Sequence, residues 1–333
     1  MSKLVNPQHP ASHADHARLG RKPDRVEVAP QYHQPVMLQE SLDALHIQPG
    51  GRYIDLTFGG GGHSRALLGR LATNGRLLAF DQDPDVHPHL PGDGRFAFAD
   101  TNFRHLKRFA THHNMLQADG ILADLGISSH QVDEPTRGFA FRHEAGLDMR
   151  MNPREGQTAG EFLRQAGEEE IARVLKQYGE ITAARRVAQW IALASSRNQM
   201  NTTADLCRAI EPITSSGKER QITARLFQAI RIHLNDELQA LREMLQQTAA
   251  VCAPGGYLVV ISYHSLEDRL VKQFMRSGHF HNQIEKDVYG HPIRPFEPDP
   301  AQALQASEQE TAANPRARSA RLRAARRTQT PWP

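Results

Sequence analysis

The sequence predicts an α/β protein built on a parallel, doubly wound sheet that is interrupted by an all-helical insert. Three observations carry that expectation. Short apolar strands alternate with helix-like segments between residues 52 and 124. From about 138 to 250 the alternation stops and only helical periodicity remains. An apolar run, YLVVISY (257–263), followed by a helix-like segment, then resumes it. Strands buried on both faces read as continuous apolar runs, and the helices between them supply the crossovers of a parallel sheet.

Taken in order, residues 1–30 are rich in His, Pro, Arg and Asp with no apolar periodicity, and read as a disordered extension. Strands are expected at 52–58, 76–81, 95–99 and 120–124, with helices around 64–72 and 103–116 between them. Asp55, Asp81, Asp100 and Asp124 fall at or near the carboxyl ends of those strands, where doubly wound sheets bind ligands. Ile171, Val174, Leu175 and Tyr178 follow one helix face, and Val187, Trp190, Ile191 and Ala194 another. Leu226, Ile230, Leu234, Leu238, Leu241 and Leu245 mark one longer helix that ends before the breaker APGG (253–256). A helix from about Leu266 to Met275 follows the fifth strand, and residues 281–313 read as loop. The expected organisation is therefore a discontinuous domain of residues 31–137 and 222–333 carrying an insert of residues 138–221.

The 39% hydrophobic and 23% charged content is that of a soluble globular protein, and no apolar run approaches a membrane span. Cys207 and Cys252 are the only cysteines, far apart and without metal-ligand spacing, so neither a disulfide nor a metal is expected and a cytoplasmic setting fits. The net charge is only +3, but residues 314–327 (NPRARSARLRAARR) carry arginines and no acid. Such a cluster is either a solvated basic tail or a nucleic-acid footprint.

The run DLTFGGGGHS (55–64) places four glycines after the first strand, as expected where backbone must approach a nucleotide-like ligand. A phosphate loop needs a Lys after its glycines, and His63 and Ser64 stand there instead, which argues against ATP. Gly59, Gly61 and Ser64 come close to a dinucleotide fingerprint. An acid followed by glycine-like positions also suits S-adenosylmethionine, with Asp55 for the ammonium and Thr57 standing where a glycine is more usual. Asp81 can hold ribose hydroxyls of either cofactor. The fourth strand runs into DLGISSHQ (124–131), an acid, two hydroxyls and an amide beside the expected reacting group, with no Tyr–Lys relay of a hydride enzyme. Ser128 and Ser129 are equally readable as turn caps.

Successive motifs resemble one family: HQPVMLQE (33–40), the glycine run, DLGISS (124–129), RGFAF (137–141), LDMRM (147–151), FQAIRI (227–232), SYHSLEDR (262–269) and NPRARS (314–319). The chain is similar, over roughly residues 31–327, to the bacterial ribosomal RNA small subunit methyltransferase H family, also called MraW. The resemblance implies a class I methyltransferase fold, S-adenosylmethionine as cofactor, and methylation of the N4 amine of cytosine 1402 in 16S ribosomal RNA within the small subunit. It implies cofactor contacts from Gly61, Gly62, His63, Asp81, Phe103, Asp124 and Gln131, which join Asp55 from the strand-end reading. His130 replaces the proline usual after the two serines. For catalysis the expected residues are Asp124 as acceptor of an N4 proton, with Ser128 or Ser129 orienting the amine. Arg137, Arg142, Tyr263, His264, Arg316 and Arg318 are the expected RNA contacts, while Phe139 and Phe141 read as core.

Overall fold

The computed structural model describes residues 35–214, 219–281 and 283–332; the expected extension over 1–30 lies outside them. After a short helix α1 (Leu38–Ala44), the chain alternates β1 (Arg52–Asp55), α2 (Gly62–Arg70), β2 (Arg76–Asp81), β3 (Phe96–Asp100), α3 (Leu106–His112), β4 (Ala118–Asp124) and α4 (Ser129–Asp133). Helices α5 (Ala159–Gln165), α6 (Glu168–Gly179), α7 (Ala184–Ser196), α8 (Thr203–Thr214), α9 (Glu219–Leu234) and α10 (Glu237–Val251) follow. Then come β5 (Cys252–Ser262), α11 (Ser265–Ser277), β6 (Phe296–Pro298), β7 (Leu304–Gln305), α12 (Glu308–Ala313) and β8 (Arg321–Arg327).

Strands pair in the order β3-β2-β1-β4-β5-β8-β6, with β7 also on β8. The first five are mutually parallel and β8 runs antiparallel to β5. Period-two alternation explains why each apolar run is a strand. Ile54, Ile121, Ala123, Leu258 and Val260 face one core layer, against α10 and α11, while Tyr53, Leu122, Val259 and Ile261 face the other. With both faces covered by helices, no strand needs a polar side. The helical insert has its own core, including Phe139, Phe162, Ile171, Leu175, Ile191 and Leu226. Phe139 is core as expected, but Phe141 is 40% exposed, its ring edge-on to Phe227.

Four features differ from the sequence expectation. The long leucine stripe belongs to two helices, because Asp236 takes a left-handed conformation (φ 50°) between α9 and α10. α9 runs through the expected boundary at 221/222 and adds Leu226, Phe227, Ala229 and Ile230 to the insert core. The arginine-rich segment is a sheet strand along much of its length. Leu322 and Ala324 are buried on one face of β8, and Arg323 on the other binds Asp268 of α11 through two hydrogen bonds, 2.7 and 3.1 Å. Arg327 is buried too, donating to the carbonyls of Ala249, Pro295, Thr328 and Thr330. The stretch 281–313, expected as loop, supplies β6, β7 and α12.

Candidate active site

Asp55, Asp81, Asp100 and Asp124 are the last residues of β1, β2, β3 and β4, so four carboxylates stand in a row along one edge of the sheet. Their environments separate their roles. Asp55 is buried, accepting from Ser64 Oγ (2.6 Å) and Thr57 N (3.1 Å). Burial raises its pKa and those two bonds only partly offset it. It therefore anchors the glycine turn to the start of α2. Thr57, the position usually glycine, turns its hydroxyl to accept from Asp124 N at 2.7 Å, which staples the turn to the end of β4. Asp100 sits at the rim beside His87 Nε2 (3.2 Å) and Arg154 (3.4 Å).

The turn is glycine for backbone reasons at two positions. Gly61, the N-cap of α2, has φ 74°, and a Cβ there would strike the Phe58 ring at 2.6 Å. A Cβ on Gly62 would meet Pro35 at 2.2 Å. Gly59 differs: with φ 50°, an added Cβ would meet only Ser128 Cβ at 3.8 Å, so it would project into the space between the turn and the β4–α4 loop. The turn thus presents a cradle of bare backbone there. Asp81 closes the same cradle, its carboxylate accepting from Gly59 N (2.7 Å) and Asp83 N (2.9 Å). Burial pushes Asp81 up to about 6 against the lowering effect of those bonds.

At the other end of the cleft Asp124 accepts from the Tyr263 hydroxyl (2.7 Å), and its second oxygen lies 3.8 Å from His63 Nδ1. Burial pushes Asp124 up to about 6, with His63 and Tyr263 holding it down and Asp55 and Glu267 pushing further upward. The Tyr263 phenol is raised well above its ordinary value, first by burial and then by Asp124. His63 is buried, and desolvation lowers its pKa while Asp124 pulls it back up. Among the described residues its Nε2 has no hydrogen-bond partner. His264 caps α11, its Nδ1 accepting from Glu267 N, while its Nε2 stands 3.2 Å from Glu267 Oε1. Glu267 in turn accepts from Tyr263 N at 2.9 Å, holding the Tyr263–His264 corner rigid.

The β4–α4 loop is built by a capping box. Ser128 Oγ accepts from Gln131 N (3.2 Å) and Gln131 Oε1 accepts from Ser128 N (3.0 Å). The Ser129 hydroxyl makes no hydrogen bond among the described residues, so of the two serines it keeps both its donor and its acceptors free. Gln131 Nε2 donates to the buried Asp83 at 2.7 Å. Arg137 departs from the expectation of an RNA contact. It is buried, its Nη1 2.8 Å from Asp83 and 2.6 Å from Asp85, its Nη2 bonded to the carbonyls of Arg150 and Met151. A phosphate cannot reach a guanidinium used in that way. His130 Nε2 lies 3.2 Å from Asp85, so the residue in place of proline joins the same cluster. Arg142 and Arg316, far apart in sequence, converge on one oxygen of Asp133 at 2.9 and 2.8 Å. Arg318 is exposed, and Phe103 opens the turn after β3, half-buried against the core.

Sequence reasoning missed Asp83, Thr57 as a bridge, and Glu267. Only Asp83 left a signal, as a second acid two residues beyond the end of β2.

The site fits a cofactor with an adenosine and an amino-acid part: a bare-backbone cradle at Gly59, an acid at the end of β2 for hydroxyls, and an orphan buried nitrogen on His63. The sheet separates the two candidates left open above. A dinucleotide fold runs 3-2-1-4-5-6 in a mostly parallel sheet. Here the antiparallel β8 stands between β5 and β6. With no hydride relay at β4, the fold and site define a class I methyltransferase whose cofactor is S-adenosylmethionine. The chain belongs to the MraW methylase family, whose model matches residues 30–328. It is 47% identical over 295 residues to the ribosomal RNA small subunit methyltransferase H of Parabacteroides distasonis, covering 88% of this chain and 97% of that protein. The like-named protein of Amoebophilus asiaticus is 43% identical over 304 residues, covering 91% and 98%. Among solved structures, the putative rRNA-methylase from Clostridium thermocellum aligns over 89% of this chain and 99% of its own at 11% identity and a TM-score of 0.39. No described helix is long and apolar enough to cross a membrane.

Proposed function

We propose that this chain methylates the N4 amine of cytosine 1402 in 16S ribosomal RNA, in the setting of the small ribosomal subunit. The relatives' names support the substrate class. The observation that supports the chemistry is Asp124: a carboxylate at the end of β4, held through one oxygen by the Tyr263 hydroxyl, with the other 3.8 Å from His63 Nδ1 and accepting no hydrogen bond among the described residues.

The cofactor supplies an electrophilic methyl group on a sulfonium. The chain must do the rest. The N4 lone pair of cytosine is delocalised into the ring, so the amine is a weak nucleophile. A carboxylate accepting an N4–H bond localises that lone pair and stabilises the positive charge that grows as the new C–N bond forms. Asp124 is the acceptor. One N4 proton passes to its free oxygen and then to water, leaving the neutral methylated amine. A value near 6 suits this task, since the group is ionised at pH 7 yet basic enough to take a proton. Ser129 orients the amine, and Ser128, held by Gln131, fixes the loop that carries it. Tyr263 positions Asp124 and walls the cleft, with His264 beside it. Arg142, Arg316 and Arg318 meet phosphates around the presented base, which must leave its stack to reach Asp124.

Methyl transfer to small subunits from a strain lacking this enzyme, with the modified nucleotide located by mass spectrometry, tests the reading. N4-methylcytidine at 1402 supports it, and a different nucleotide or atom refutes it. Asp124→Ala is expected to lose methylation while keeping affinity for S-adenosylhomocysteine; unchanged turnover removes Asp124 from its role.

A further inference from the structure

Two surface grooves lie beyond the cleft and meet at Lys272. The first, of about 470 Å³, begins at Tyr263 and His264 and is lined by Arg269, Lys272, Arg318 and Arg321, with Asp268 as its acid. The second, of about 420 Å³, continues past Lys272 to Arg276, Arg294 and Arg323, with Glu297 as its acid. Seven cations against two acids leave an excess of five, while the whole chain carries only +3. The basic character of this protein is therefore concentrated along this trough.

One wall is α11. Arg269, Lys272 and Arg276 are three and four residues apart, which places them on one face of the helix along about 10 Å of its axis. The other wall comes from the segment around β8. Several of the cations are already neutralised: Arg321 and Arg323 bind Asp268, Arg294 binds Glu297, and Arg269 lies 3.5 Å from Glu180. Lys272, Arg276 and Arg318 have no acidic partner among the described residues, and all three are exposed. An unpaired row of charge leading away from the Asp124–Tyr263 corner has no structural task, since nothing in the fold uses it.

The geometry points to a track for the RNA backbone: the strand flanking the target nucleotide leaves the cleft at Tyr263–His264 and lies along α11, its phosphates on Lys272, Arg276 and Arg318. This rests on the RNA-methylation reading. It goes further by assigning the direction in which the strand runs and a binding role to Lys272 and Arg276. A single strand fits because the groove opens where an unstacked base must enter, and successive phosphates along a strand match a linear row of cations.

The test is the salt dependence of RNA binding and the KM for RNA in Lys272→Ala/Arg276→Ala/Arg318→Ala. A control, Arg52→Ala/Arg70→Ala/Arg76→Ala, removes the same charge at the opposite edge of the sheet. Single-stranded contacts contribute about 0.7 each to the slope of log affinity against log salt, so loss of three flattens it by about 2. The trough variant is expected to show that flattening and a KM raised at least ~10-fold, with S-adenosylhomocysteine affinity and melting temperature retained. Lys272→Arg/Arg276→Lys/Arg318→Lys keeps the charge and is expected to keep the wild-type slope. A trough variant with wild-type slope and KM, or a control variant with the same loss, overturns the track while leaving the methylation reading intact. Wild-type protein that methylates no small-subunit RNA overturns both.

Discussion

Replacing Asp124 by asparagine is expected to stabilise this protein while abolishing its chemistry. Asparagine keeps the shape and still accepts from the Tyr263 hydroxyl, so geometry is preserved and the charge is removed. The folded-state pKa of Asp124 is raised from 3.8 to about 6, chiefly by burial. A raised value means the folded protein holds the proton more tightly than the unfolded chain does. The penalty is absent below pH 3.8, grows as pH rises, and is complete above about pH 6. From 3.8 to about 6 corresponds to about 3 kcal/mol. At an unfolding entropy of ~2 cal/mol/K per residue, that is a gain of roughly 5 °C in melting temperature at pH 8 for a chain of this size. The gain should fall to about half at pH 5 and to under ~1 kcal/mol at pH 4. Thermal or denaturant unfolding of both proteins from pH 4 to 8 reads this directly, beside a methyl-transfer assay in which turnover drops by 10²–10⁴ (order of magnitude for a lost general base). A variant no more stable than wild type at pH 8, or one whose advantage is unchanged at pH 4, refutes the assignment of a strained carboxylate at this position.

Further outcomes follow from the same geometry. Wild-type turnover should rise with pH through about 6 as Asp124 ionises, because the base must be unprotonated to accept; a profile flat from pH 5 to 8 removes it as the acceptor. Tyr263→Phe deletes a bond that lowers the Asp124 pKa, so the acidic limb should move to higher pH and turnover fall about tenfold, with S-adenosylhomocysteine binding retained. Arg137→Ala leaves Asp83 buried without its cation and should cost about 3–5 kcal/mol in denaturant unfolding, while the salt slope of RNA binding stays that of wild type. Thr57→Val strands the Asp124 amide and should cost about 1–3 kcal/mol, visible as a lowered melting temperature.

The parallel half of the sheet was legible because its signal is local. Each of β1 to β5 is an apolar run whose alternate residues feed two core layers, and the four acids at strand ends are placed by the same runs. The edge formed by β8 was not. RLRAARR has neither β-branched nor aromatic residues, and its arginines dominate any reading of charge. What makes it a strand lies elsewhere in the chain: β5 offers its free edge, and Asp268 and a set of carbonyls take up Arg323 and Arg327. The α9–α10 break was hidden for a related reason. The leucine spacing continues across it, and only Asn235-Asp236, residues that tolerate a left-handed turn, mark the place. In the site, the motifs located Asp124 and Tyr263 separately, but that one hydroxyl serves the other carboxylate across 139 residues is a property of the fold alone.

The same break explains how the insert is held to the cleft. Asn235, half-buried at the turn between α9 and α10, accepts from Met151 N at 2.7 Å and donates to the carbonyls of Met149 and Arg231, each at 2.9 Å. Met149 is itself left-handed, with φ 59°, a conformation that a methionine keeps only when its neighbours hold it there. Arg137 holds the segment from the other side through the carbonyls of Arg150 and Met151, and Met151 Sδ reaches Gln82 at the ligand end of β2. The LDMRM segment is thus clamped between α9 and the strand ends, and the hydrogen bonds of its backbone serve architecture. Four residues before Asn235, Arg231 forms a two-bond ion pair with Glu237, while its charge lowers the pKa of Glu267, which accepts from Tyr263 N. The α9–α10 turn thus touches both the LDMRM segment, through Asn235, and Glu267, through the charge of Arg231.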